Sequence, residues 1–313
     1  MEDLVFSLNA TLPIFFLMLI GYGFKRCGII SERFATDMNA FVFKVALPVS
    51  LFSQLYDVDF FAVWDTSYVL FCFFATLICI GIGALCSLWI RNKADRGEFI
   101  QGTYRSSASL LGMAYIENIY GTAAMGSLMM LGSVPLYNVM AVIILSLTGE
   151  SGELDRGRLK KSLIGILTNP IIDSIFIGFI WALLRIPLPA MAAKTVGYVG
   201  RLASPMGLLS MGACLNFGDF RSKWKPVTAA AFFKLIGFTA LCMPVAVYMG
   251  FRGEKLLAAL IMLGSASTVA GFIMAKNMGH EGTVSSGCVI LSTILSSFTM
   301  TFWIWLLRSH GLL

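Results

Sequence analysis

The chain has 313 residues, 58% hydrophobic and 13% charged, with a formal net charge of +6 and a mean hydropathy of +0.82. That composition excludes a soluble domain of this length and places the chain among polytopic membrane proteins. The lysines and arginines sit in short connections between apolar runs, so the charge reports topology and not a nucleic-acid surface.

Judged by the rule that about 20 apolar residues cross the hydrocarbon core, the sequence divides into ten candidate spans. They are Leu4–Gly23, Phe34–Leu55, Trp64–Ile90, Phe99–Tyr120, Thr122–Leu147, Leu163–Leu184, Ala192–Leu215, Val227–Gly250, Leu256–Met278 and Val284–Leu307. Glu2 and Asp3 precede the first and Lys25-Arg26 follow it, the reverse of a cleavable signal, so it is expected to stay as a helix. The second span carries Lys44 and Pro48, and the seventh carries Pro205. Proline lacks a backbone donor and clashes with the preceding turn, so both helices are expected to break there.

The fourth and ninth spans are interrupted differently, by Ser106-Ser107-Ala108-Ser109-Leu110-Leu111-Gly112 and by Gly264-Ser265-Ala266-Ser267-Thr268. Small residues let backbones approach, and hydroxyls can satisfy freed carbonyls or touch a ligand. Ser107, Ser109, Gly112, Ser265, Ser267 and Thr268 are therefore the candidate substrate-binding residues, with tight helix packing as the competing explanation. Ionisable residues inside spans add further candidates. Lys44 lies deep in its span and is a candidate cation for the same site, and Asp173 in the sixth span is a candidate proton-responsive coupling group. Arg105 and Lys234 sit nearer span ends, where snorkelling to the interface is the expectation.

Alternate loops carry most of the positive charge, including Lys25, Arg26, Arg91, Lys93, Arg156, Lys160, Arg221 and Lys223, which by the positive-inside rule puts both termini outside. The two halves are related: Thr11, Pro13, Ala46, Pro48 and Ser53 recur as Thr168, Pro170, Ala203, Pro205 and Ser210 at one constant displacement. Ser107-Ala108-Ser109 recurs as Ser265-Ala266-Ser267 one position further on. An odd number of spans per repeat forces the second copy to enter from the opposite side. The expected fold is all-α, with ten transmembrane helices as two inverted five-helix repeats: residues 1–148, a cytoplasmic linker at 149–161, and residues 162–313.

Other chemistries lack their residues. The seven cysteines form no CxxC pair and there are two histidines, so no metal cluster or cofactor is expected. No P-loop, His-Glu-x-x-His or Gly-x-Ser-x-Gly motif occurs, so neither ATP-driven transport nor an enzyme is expected.

The run Met38-Asn39-Ala40-Phe41-Val42-Phe43 through Ala46-Leu47-Pro48-Val49-Ser50-Leu51-Phe52, with Ser204-Pro205-Met206-Gly207-Leu208-Leu209-Ser210 and Leu291-Ser292-Thr293, resembles the auxin efflux carrier family. That family includes plant auxin exporters and bacterial permeases for malate, malonate and related anions, and is similar in fold to bile acid:sodium symporters. The resemblance covers nearly the whole chain. It implies a scaffold helix group, a transporter helix group, and a substrate site where the fourth and ninth spans cross. Where the family commonly has an asparagine and a Gly-Leu-Pro run, this chain has Ser107 and Met113-Ala114. The expected function is secondary transport of a small organic anion, an auxin-like monocarboxylate or a dicarboxylate, by alternating access in the lipid bilayer of a bacterial inner membrane. A homodimer is left open. The alternatives are a cation-coupled symporter of a larger amphipathic acid, or a channel or non-transporting ligand sensor.

Overall fold

Helices begin where the sequence supplies caps. In the computed structural model, which describes residues 13, 16–56, 64–108, 116, 119–120, 124–149, 169–215 and 221–313, α1 spans residues 16–26. α2, Glu32–Phe41, starts at Ser31, whose Oγ accepts from the Phe34 N–H at 3.1 Å. It continues through a π-turn, Val42–Ala46, into α3, Leu47–Leu55. Asp65 caps α4, Thr66–Cys86, and Asn92 caps α5, Lys93–Tyr104. Then come α6, Ala124–Thr148, and α7, Pro170–Leu184, capped by Asn169 with proline in its first turn, where its missing N–H costs nothing. The second half continues with α8, Ala190–Arg201, α9, Ala203–Ala213, and α10, Trp224–Phe232. A second π-turn, Phe233–Gly237, leads into α11, Phe238–Tyr248. The chain ends with α12, Gly253–Gly264, α13, Val269–Asn277, and α14, Thr283–Ser309. No strand is present among the described residues. Ser109, Gly112, Glu117 and residues 150–168 of the linker region lie outside them.

The proline at 48 does not break its helix. The Leu47 N–H donates to the Val42 carbonyl, one residue further back than in an α-helix, so the widened turn absorbs the misfit just ahead of Pro48. Glu32–Leu55 is thus one of five helices long and apolar enough to span a bilayer, with Thr66–Trp89, Leu128–Thr148, Trp224–Tyr248 and Thr283–Ser309. At Pro205 the chain bends at Leu202 between α8 and α9 and both flanking residues stay helical. Exposed side chains on the outer faces are large and apolar, among them Leu70, Phe74 and Ile78 on α4 and Phe176, Ile177 and Ile180 on α7. Such belts suit lipid, and this is an integral membrane protein.

Two helix groups emerge from packing. The largest core joins α4, α5, α6, α10, α11, α12 and α14, around Tyr68, Phe99, Leu128, Phe238 and Leu260. The other group is α1, α2, α3, α7, α8 and α9, where α3 packs on α7 and α8 and α9 packs on α2. Glycines bring its backbones together: a Cβ added at Gly212 would sit 2.0 Å from the Met18 carbonyl oxygen, and one at Gly21 would sit 2.3 Å from that of Leu209. Small residues of this kind are how helices associate without a hydrophobic driving force between them. Smaller apolar clusters join the groups, through Leu51, Ala141, Ile172 and Met274 and through Ala46, Leu208 and Ile273.

Ion pairs hold the two ends. At one, Lys255 Nζ lies 2.5 Å from the Asp65 carboxylate, which also accepts from Ser67 and the Tyr68 N–H, and these bonds lower the Asp65 pKa well below the usual carboxylate range. At the other, Lys223 pairs with Asp95 at 2.8 Å and with Glu281. Partial burial pulls the Lys223 pKa down, but the hydrogen bonds to Asp95 and Glu281 outweigh it and raise it.

Candidate functional site

Serine competes with the helical hydrogen-bond ladder through its own hydroxyl, and two serine-rich stretches in apolar helices are where the ladder stops. α5 ends at Tyr104, and Arg105 turns extended, with φ −75° and ψ 125°. α12 ends at Gly264, and Ser265 turns extended, with φ −75° and ψ 166°. The two extended stretches cross antiparallel at Ser106 and Ser267, and the Ser107 N–H donates to the Ala266 carbonyl at 2.9 Å. The Ser267 N–H donates to Ser292 Oγ of α14, also at 2.9 Å. Thr268 then caps α13, its Oγ1 accepting from the Ala270 N–H.

Two cations are buried at this crossing, and both correct the snorkelling expectation: Arg105 is 2% and Lys234 1% exposed. Lys234, lifted inward by the π-turn of its helix, donates to Ser106 Oγ and to the carbonyls of Leu263, at 2.8 Å, and Met262, at 3.2 Å. It thereby caps the C-terminal carbonyls of α12, where a helix favours a cation. Those three acceptors use all three ammonium hydrogens. Arg105 is held otherwise: Nη1 donates to Gln101 Oε1 at 3.3 Å and to the Met274 sulfur at 2.9 Å, and Nη2 donates to Asn138 Oδ1 at 2.9 Å. Its Nε–H has no partner.

A cavity of about 120 Å³ opens beside the crossing. One wall is α3 and α9, with Ser50, Gln54 and Ser204. The facing wall is the crossing itself, with Arg105, Ser107 and Thr268. The cavity therefore lies between the two helix groups. Among the described residues, no carboxylate lines it, and no cluster of metal-ligating side chains exists.

Of the residues singled out in the sequence, Ser107, Ser267 and Thr268 line this cavity, while Ser265 is buried just behind it with an unpartnered hydroxyl. Ser109 and Gly112 lie outside the described residues. Pro48 and Pro205 are in helices that border the cavity and do not themselves line it. Lys44 is exposed and does not line the cavity, and Asp173 is exposed in the first turn of α7. No ion pair joins them among the described residues. Arg105, Asn138, Tyr137 and Gln54 also line it, with Ser50, Ser106, Ser204 and Thr293, without having been picked from the sequence as site residues. Asn138 carried a readable signal, an amide in the middle of an apolar span.

The chain is 23% identical over 307 residues to an "Uncharacterized transporter" of Methanothermobacter thermautotrophicus, covering 95% of this chain and 97% of that one. Its fold is similar to that of the sodium proton antiporter MjNhaP1 from Methanocaldococcus jannaschii, with a TM-score of 0.64, 14% identity, and coverage of 95% and 97% of the two chains. Residues 6–304 match the family described as membrane transport protein. With helices long and apolar enough to span a bilayer and two interrupted helices that cross, the chain belongs to this family, that of the auxin efflux carriers, and is a membrane transporter.

Proposed function

We propose that the protein is a secondary carrier of a small organic anion, built as two inverted five-span repeats, that works by alternating access at the crossing of α5 with α12 and α13. The observation that carries this reading is the charge of the cavity: it holds the buried cation Arg105 and no described carboxylate. A bare cation taken from water needs oxygen ligands and negative charge. This lining offers the reverse, an uncompensated guanidinium and the N-terminus of α13, where backbone N–H groups and the helix dipole favour an anion. Position supports it too. A site between two helix groups, one with an extensive core of its own, is exposed to each side in turn if one group slides against the other.

Purified protein in proteoliposomes tests the reading. Saturable counterflow of a labelled carboxylate supports a carrier. Conductance without counterflow points to a channel, binding without flux to a sensor, and sodium-dependent uptake of a larger amphipathic acid to the cation-coupled alternative. Ser267→Leu, which fills the crossing, should abolish counterflow while leaving protein in the membrane.

A further inference from the structure

The cavity states more about its ligand than its charge, and the inference rests on the organic-anion reading above. Arg105 has five N–H donors in a rigid fork, of which three are used, by Gln101, Met274 and Asn138. The two left over are the Nε–H and one Nη2–H. These nitrogens share one edge of the guanidinium plane, at the spacing of the two oxygens of a carboxylate. The partners of Arg105 thus hold its far end and leave that edge unpaired; its Nε is buried, so the side chain has to shift for the edge to face the cavity. Lys234 is no second receptor, because its three hydrogens are all taken within the protein. A second carboxylate in this cavity would therefore meet no second cationic side chain, only the N-terminus of α13 and neutral hydroxyls, so one charge of a dianion would go uncompensated by any side-chain cation.

Volume sets the other limit. At about 120 Å³ the cavity is smaller than the roughly 150 Å³ cavity that accepts benzene, a ligand of six heavy atoms. Ser107, Ser267 and Thr268 border it together with Leu51, Val134 and Ile273, so the body of the ligand meets both hydrogen-bonding and apolar side chains.

We infer that Arg105 receives the carboxylate of the substrate on its Nε–Nη2 edge, and that the site selects acids with a single carboxylate and about six non-hydrogen atoms.

The experiment uses the full-length protein in proteoliposomes with labelled pyruvate as the probe, and malonate, malate and indole-3-acetate as competitors. Pyruvate should exchange saturably, and a tenfold excess of any of the three competitors should inhibit it less than unlabelled pyruvate does. Arg105→Lys keeps the charge and loses the fork, and should raise the half-saturation concentration of pyruvate at least tenfold. Because Arg105 variants can fail to fold, Asn138→Asp provides a second route. It is isosteric and places a carboxylate against Nη2, so it should compete with the substrate for the guanidinium and weaken pyruvate exchange to a similar extent. Preference for malate or indole-3-acetate over pyruvate would overturn the selectivity while leaving the carrier reading intact. Pyruvate exchange unchanged in folded Arg105→Lys, or in Asn138→Asp, would overturn the role of Arg105. Absence of exchange for all four acids would overturn the organic-anion reading itself, and this proposal with it.

Discussion

Lys234 donates to Ser106, and that bond ties one span to the crossing of two others. The same ammonium holds the carbonyls of Met262 and Leu263, which end α12. The crossing is thus braced by a cation that is not among the residues lining the cavity.

Replacing that brace separates structure from binding. Lys234→Met keeps roughly the length of the side chain and removes every donor, leaving the Leu263 carbonyl without its side-chain partner, while the Met262 carbonyl keeps Ser106 and Tyr137. A loss of about 1–3 kcal/mol per buried unsatisfied group is the expected scale. Thermal unfolding of the detergent-purified variant should show a lowered midpoint, whereas the half-saturation concentration of any protein that remains folded should shift less than in Arg105→Lys.

Gly212 tests the close approach of α1 and α9. An added Cβ meets the Met18 backbone oxygen at 2.0 Å, and no side chain can swing away to relieve it. Gly212→Ala should destabilise by about 1–3 kcal/mol, the usual scale of overpacking. Gly23→Ala, where a Cβ meets nothing within 4 Å, is the control and should be close to neutral.

The pair of Asp65 with Lys255 predicts a pH signature. Because the folded pKa of Asp65 lies below its unfolded value of about 3.9, its contribution is fully present above that value and is lost as pH falls through the folded pKa. Melting curves of wild type and Asp65→Asn should differ by a constant amount from pH 5 to pH 8 and begin to converge only below about pH 4. Convergence near neutrality would assign the effect to another group.

Capping of α14 offers a fourth test. Glu98 is fully buried, and its two carboxylate oxygens accept from the N–H groups of Gly282 and Ser285 at 2.8 and 2.9 Å. The negative charge lies at a helix N-terminus, where it is favourable. Glu98→Ala should lower the unfolding midpoint by more than Glu281→Ala, whose carboxylate is largely exposed, and proteolysis near residues 278–282 would report the loosened end.

The sequence carried the two interruptions well, because serine and glycine runs stand out in an apolar background, and their matched positions suggested that they meet. The face of Lys44 was less legible. Four residues before Pro48 in an α-helix it would share the proline's side, yet Pro48 is buried and Lys44 exposed. The π-turn between them inserts one extra residue and rotates the helix by about 100°. Depth alone also misled at Arg105 and Lys234. A long side chain near a span end reaches water unless local acceptors hold it, and those acceptors, Asn138 and the carbonyls at 262 and 263, come from helices distant in the chain.

If the protein cycles as proposed and Arg105 moves with the site, the uncompensated charge of the cavity would make that cycle sensitive to voltage in one half only. An empty site that moves between the two sides carries the positive charge of Arg105 through part of the membrane field, where a full traverse by one charge is worth about 2.3 kcal/mol per 100 mV. Once a monocarboxylate sits on the guanidinium, the pair is neutral and its passage is indifferent to the field. Return of the empty carrier, and with it net flux, should respond to an imposed potential, while exchange of one labelled acid for another should not.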